Sequence, residues 1–170
     1  MQLIDYIKVY DFEGDGLLEF LNQRTKWKHS QDNDFEKTVG VFDYCKVDNS
    51  IQDYGKLWSM LLTGQLQSIN EYIKDFPKSE FSGGSAFYFR KYSINGHTYE
   101  DCYYDPTVSK QCNFIMNLND DYSGGELKIN DEIYRLKKNQ LIIFPCNFMY
   151  RWSHQPVVSG EKYTIESFIV

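Results

Sequence analysis

Few residues in this chain are equipped for chemistry. There are three histidines, His29, His97 and His154, and four cysteines, Cys45, Cys102, Cys112 and Cys146. The cysteines show no Cys-x-x-Cys spacing. They read as small buried hydrophobes of a reducing compartment. With so few histidines, no Cys-His-Asp or Ser-His-Asp set can be argued by spacing. His97 stands close to Glu100 and Asp101, which could bind a metal weakly and read more simply as turn residues. His154 lies between Pro145 and Pro156 and reads as a surface loop residue. There is no phosphate loop and no Gly-x-Gly-x-x-Gly, and Gly83-Gly84 is a turn signal.

Composition narrows the classes. A chain of 170 residues has room for one domain with a full core. Aromatics at 17% against 25% charged residues mark a globular chain. A net charge of -6 argues against a nucleic-acid backbone or an anionic membrane as partner. No apolar run approaches the roughly 20 residues of a membrane span. The start, Met1 to Asp5, lacks the basic and apolar regions of a signal peptide, so a host-cytoplasmic or virion location is expected. Ala86 is the single alanine, while Ile, Lys, Asn, Tyr and Phe abound. That bias suggests an AT-rich genome of the phage or viral kind.

The elements that would position a site follow from periodicity and punctuation. Leu3 to Tyr10 reads as a strand with Ile4, Tyr6, Val9 and Tyr10 buried. Asp15 is a candidate N-cap for a helix carrying Leu17, Leu18, Phe20 and Leu21. Val39 to Tyr44 reads as a second strand. A helix over Ile51 to Lys74 is predicted, with Leu57, Leu61, Leu62, Leu66, Ile69 and Ile73 as its apolar stripe and Gly64 as an interruption. Beyond Gly84 the chain is nearly all strand: Ala86 to Tyr92, Cys112 to Leu118, Glu126 to Ile129, Glu132 to Leu136, Leu141 to Phe144 and Tyr163 to Val170. Asn130-Asp131 fits a hairpin turn. Short strands at regular intervals favour a sandwich, jelly roll or barrel, and helices before strands give an α+β class.

One stretch is more specific. Phe114-Ile115-Met116 runs into Asn117-Leu118-Asn119-Asp120-Asp121-Tyr122-Ser123-Gly124-Gly125-Glu126-Leu127, a turn between two antiparallel strands whose glycines allow φ > 0. Then come Leu141-Ile142-Ile143-Phe144-Pro145 and Pro156-Val157-Val158-Ser159-Gly160-Glu161-Lys162-Tyr163. This order resembles the prolyl-4-hydroxylase-like oxygenases that use 2-oxoglutarate and Fe(II), the small viral members above all. The resemblance covers roughly Ile7 to Val170. It implies a single domain over 1–170, a double-stranded β-helix (jelly roll) core over 85–170 and supporting helices over 14–76.

The same resemblance implies a site and shows it altered. Such an enzyme holds iron with two imidazoles and a carboxylate. The family's His-x-Asp slots fall on Cys102 and Tyr104, and a slip of one residue offers Asp101 or Asp105 but no histidine. The distal histidine slot holds Tyr150 counted from Phe144-Pro145, or Trp152 counted back from Pro156. His154 is out of register from both ends. Lys162 takes the place of the cation that grips 2-oxoglutarate, a point charge in place of arginine's fork. Tyr92 and Tyr99 match positions near the co-substrate. These substitutions imply a non-catalytic member of the fold, with no cofactor expected and a protein partner, such as a viral virion or tail component. Tyr103, Tyr104, Tyr150 and Trp152 would supply an aromatic protein-contact or glycan platform. The alternative is an active dioxygenase acting on a prolyl, other peptidyl or small-molecule substrate. Its Fe(II) would rest on Cys102, His154 and Asp101 or Asp105.

Overall fold

The computed structural model describes residues 2–99 and 109–170. In chain order the strands are β1 (Lys8–Asp11), β2 (Lys28–His29), β3 (Gly40–Val41), β4 (Asp43–Lys46), β5 (Tyr88–Tyr92), β6 (His97–Thr98) and β7 (Cys112–Asn117). They continue as β8 (Ser123–Gly124), β9 (Leu127–Ile129), β10 (Glu132–Tyr134), β11 (Gln140–Pro145), β12 (Trp152–His154), β13 (Val157–Ser159) and β14 (Lys162–Ile169). The helices are α1 (Leu17–Arg24), α2 (Glu36–Val39) and α3 (Tyr54–Asp75). None is long and apolar enough to cross a membrane, among the described residues.

Seven strands form one antiparallel sheet in the order β1-β11-β7-β14-β5-β4-β2, and β10-β9-β12 form a smaller facing sheet. The chain is α+β with the double-stranded β-helix (jelly-roll) architecture. Alternation along each strand divides the core into two layers. From β7, Phe114 and Met116 join Leu141 and Ile143 of β11 against Leu57, Leu61 and Ile69 of α3 and Leu21 of α1. The intervening Ile115, Ile142 and Phe144 face the other way and pack on Leu127, Ile129, Tyr150 and Trp152 of the small-sheet side. The helices therefore buttress one face of the large sheet, and the other face is the inside of the β-helix.

Several sequence expectations are corrected. Leu3–Tyr6 is a 3-10 helix and only Lys8–Asp11 is a strand. Ile4 and Val9 are exposed, and Tyr6 and Tyr10 are half-buried. Val39 closes α2, and the expected strand to Tyr44 is split into β3 and β4. The span 14–76 is thus not purely helical, because β4 and β2 extend the large sheet. Gly16, not Asp15, caps α1, at φ 78. Asp15 accepts a hydrogen bond from Asn139 instead. Along α3 the buried positions include Gln65, Ser68 and Tyr72, while Leu66 is 47% exposed, and the helix runs on through Gly64.

The Asn117 to Leu127 stretch does more than reverse a hairpin. It carries the chain from β7 in the large sheet through β8 to β9 in the small one. Asn117 Nδ2 donates to the carbonyls of Asn119, Leu136 and Lys137, and Asn119 Nδ2 to Glu161 O. Gly124 and Gly125 sit at φ 70 and 67, the left-handed region where a side chain is strained. Asn130-Asp131 turns the β9–β10 hairpin as its sequence suggests, with Ile129 opposite Glu132.

Candidate functional site

The paired strands β5 and β14 put Phe89 and Ile165 on one face and a row of polar residues on the other. Phe89 and Ile165 belong to the helix-side core. Lys162, Thr164 and Glu166 of β14 share the opposite face, in register with Tyr92, Arg90 and Tyr88 of β5. Opposite them, β12 brings His154, whose backbone N–H donates to Thr98 Oγ1 at 2.7 Å. His154 is 1% exposed and Lys162 3%, so both are inside the protein.

These residues close a hydrogen-bonded chain. Lys162 Nζ donates to Gly125 O at 2.6 Å and to His154 Nδ1 at 2.8 Å. An ammonium cannot accept, so Nδ1 is the unprotonated nitrogen and Nε2 carries the proton. Nε2 then donates to Glu166 Oε1 at 2.9 Å. The same oxygen accepts from Tyr92 Oη at 2.8 Å and Thr164 Oγ1 at 2.9 Å. Arg90 Nη1 donates to Glu166 Oε2 at 2.7 Å. The carboxylate thus receives four donors, one of them a guanidinium.

Burial and neighbours set the charge states. Desolvation opposes charge on every member. Arg90 and the His154 N–H overcome it at Glu166 and hold that carboxyl far below the usual range. Desolvation and the Lys162 ammonium push the His154 imidazole down to about 4. Burial lowers Lys162 to about 8, against the pull of Glu166 and Glu126. At neutral pH the chain is Lys162 ammonium, neutral imidazole, Glu166 carboxylate and Arg90 guanidinium.

The jelly roll itself has counterparts among solved structures. A Pseudomonas putida prolyl-4-hydroxylase superposes with TM-score 0.74 at 10% identity, over 96% of this chain and 91% of that one. The fold is that of the prolyl-4-hydroxylase-like oxygenases. A viral collagen prolyl hydroxylase from Paramecium bursaria Chlorella virus-1, solved with 2-oxoglutarate, gives TM-score 0.68 at 12% identity over 96% and 95% of the two chains. A Trichoplax adhaerens prolyl hydroxylase, solved with a peptide of hypoxia inducible factor, gives 0.66 at 11% over 97% and 83%. No family model and no curated protein matches the sequence.

The oxygenase fold implies iron and 2-oxoglutarate, and the described residues do not fit them. Iron needs an imidazole with a free lone pair, and both ring nitrogens of His154 are engaged. Glu166 is tied to Arg90, a cation that repels a metal ion. Among the described residues, no group of three or more His, Cys, Asp or Glu is placed to hold a metal. Lys162 is already held by Gly125 and His154, and its ammonium is sealed from water.

The residues expected at the site scatter. Lys162 and Tyr92 come together inside, with Nζ 5.8 Å from the Tyr92 ring centroid. Tyr99 does not join them: it is 48% exposed and stacks edge-on to His97. Tyr150 is buried between the sheets and donates its hydroxyl to Leu3 O, so it is no part of the mouth. Trp152 lies inside, edge-on to His154. His154 is corrected from a surface loop residue to a buried strand residue, because β12 pairs with β9. Cys102, Tyr104, Asp101 and Asp105, with Tyr103, lie outside the described residues. Arg90, Thr164 and Glu166 were missed. The available signal was on β14 alone, where Lys162, Thr164 and Glu166 alternate with Tyr163 and Ile165.

Gly125 supplies both the carbonyl and the space for Lys162. A Cβ there would lie 3.3 Å from Lys162 Cδ and 3.0 Å from Val157 Cγ2, at φ 67. Gly125→Ala is expected to destabilise by about 1–3 kcal/mol, read as a lowered denaturation midpoint. A surface glycine of ordinary φ would show a small change or a gain.

Proposed function

We propose that this chain is a non-catalytic binding protein built on the oxygenase fold. One observation supports the reading: Lys162, which the sequence resemblance assigns to the co-substrate, is locked to His154 and Gly125, and the imidazole is locked in turn to Glu166. Iron needs open coordination positions, and both ring nitrogens of the interior His154 are engaged within this buried ion network. Lys162, the cation that would meet a 2-oxoglutarate carboxylate, is committed to Gly125 O and His154 Nδ1, and Arg90 Nη1 to Glu166. The open mouth of the β-helix is then free to serve recognition. A protein partner is proposed, with a viral structural protein of the virion or tail as the setting that the AT-rich composition suggests.

The second reading is an active dioxygenase hydroxylating a prolyl, other peptidyl or small-molecule substrate. It draws on His154, which faces the interior beside Lys162. It requires the imidazole to release Lys162 or Glu166, leaving a charge buried without its partner.

Anaerobic calorimetry with Fe(II) and 2-oxoglutarate separates the two. With the interior closed, any residual contact is worth about 1 kcal/mol or less, so affinity for 2-oxoglutarate is expected no tighter than about millimolar. Saturable micromolar binding, or succinate release with any peptide, would overturn the binding-protein reading.

A further inference from the structure

The mouth of the β-helix holds groups that the ion network leaves unused. A cavity of about 190 Å³ lies beside Glu166, with Tyr88, Trp152, Phe168 and Ile115 in its wall. Asn113 also lines it and is 2% exposed, yet its Oδ1 has no hydrogen-bond partner among the described residues. Glu36 Oε2 and Arg90 Nε, on two more lining residues, are likewise buried without one. A buried polar atom without a partner is costly, so three of them around one cavity call for a ligand.

The lining fixes what kind. Its charged residues are Arg90 and Lys110 against Glu36 and Glu166, two of each sign. Arg90 is paired with Glu166 at 2.7 Å and lies 4.0 Å from Glu36. Lys110 Nζ sits 4.0 Å from the Phe168 ring centroid. An anion meets the two carboxylates and a cation meets Arg90 and Lys110, so the balance selects a neutral molecule. Two acceptors and one donor await, and hydroxyl groups supply both roles. The aromatic walls accept the apolar C–H face of a ring. The volume falls below the roughly 300 Å³ of a drug-sized pocket, too small for an extended peptide.

We propose that this cavity takes one neutral sugar ring, free or terminal on a glycan. Asn113 and Glu36 accept its hydroxyl protons, Arg90 Nε–H donates to a hydroxyl oxygen, and Trp152 and Tyr88 flank the ring. The inference rests on the reading of the chain as a binding protein and names what it binds.

The test is saturation-transfer NMR on the intact chain. The probes are glucose, galactose, mannose and N-acetylglucosamine at millimolar concentration, with n-butylamine, acetate and a prolyl peptide as contrasts. At least one neutral sugar is expected to receive saturation on its ring C–H protons. Asn113→Ala is expected to weaken that binding about tenfold, the effect of one hydrogen bond. Glu36→Ala, at a half-buried position of α2, carries the same expectation should Asn113→Ala fail to fold. A glycan array then separates a free sugar from a terminal one. Silence from every sugar, transfer unchanged in the folded variants, or preference for the amine, acetate or peptide would each overturn the proposal. The iron and 2-oxoglutarate titration is a separate arm. Its success would sink the binding-protein reading, whereas sugar silence with a flat titration sinks only the sugar.

Discussion

Glu166→Gln is expected to destabilise the chain by about 3–5 kcal/mol, although the substitution changes one atom. The amide keeps the shape but loses the charge that Arg90, 13% exposed at its side chain, depends on. A buried guanidinium without its carboxylate bears a desolvation penalty that nothing repays. The glutamine must also present an NH2 to three groups that now donate to Glu166. Arg90→Met should cost a similar amount, by leaving the carboxylate short of its cation. The double change Arg90→Met with Glu166→Gln should cost clearly less than the two singles added, because it removes both charges at once. Urea denaturation of the four proteins measures this. Additive losses would mean that the pair does not act as a unit.

The second large effect is with pH. In the unfolded chain an imidazole takes its proton near 6.5, and folded His154 takes it only near 4. Between these values the unfolded state binds more protons, so stability falls as pH drops from 6.5 towards 4. At roughly 1.4 kcal/mol per pKa unit the loss is about 3 kcal/mol. Glu166 adds to it below its ordinary value of 4.5, since its folded carboxyl is held lower still. Burial is the largest cause, the Lys162 ammonium at Nδ1 and the Arg90 guanidinium add to it, and Glu166 at Nε2 pulls the other way. His154→Gln should flatten the limb between 6.5 and 4, at the expense of lower stability at neutral pH. Denaturation midpoints across pH read it directly, and an equally steep limb in the variant would assign the acid sensitivity elsewhere.

The jelly roll was legible because its signals are local. Gly124 and Gly125 mark positive φ, Asn130-Asp131 marks a hairpin, and the apolar runs of β7 and β11 mark strands buried on both faces. The stripe of α3 was misread because Leu66 is apolar and exposed, whereas Gln65 is polar and buried, donating to Ser167 Oγ from 102 residues away. That choice is made by a tertiary partner, which periodicity does not contain. The ion network failed for the same reason. Arg90 and Glu166 are 76 residues apart in sequence, and only the β5–β14 register brings them together. His154 was misplaced because counting from prolines on either side assumed a loop, and pairing of β12 with β9 makes a strand. Lys162, Tyr92 and Tyr99 were expected around one co-substrate; Lys162 and Tyr92 do share the interior, Tyr99 does not, and what Lys162 would be bonded to was not legible.

On the binding-protein reading proposed above, the interior network takes the place of an open metal site. The most direct measurement is the ¹⁵N spectrum of the His154 ring, with and without Mn(II) and 2-oxoglutarate. The account predicts a neutral ring protonated at Nε2, unprotonated at Nδ1, constant down to about pH 4, with no paramagnetic broadening on adding the metal. A ring that titrates near its ordinary value, or that Mn(II) broadens beyond detection, would contradict it.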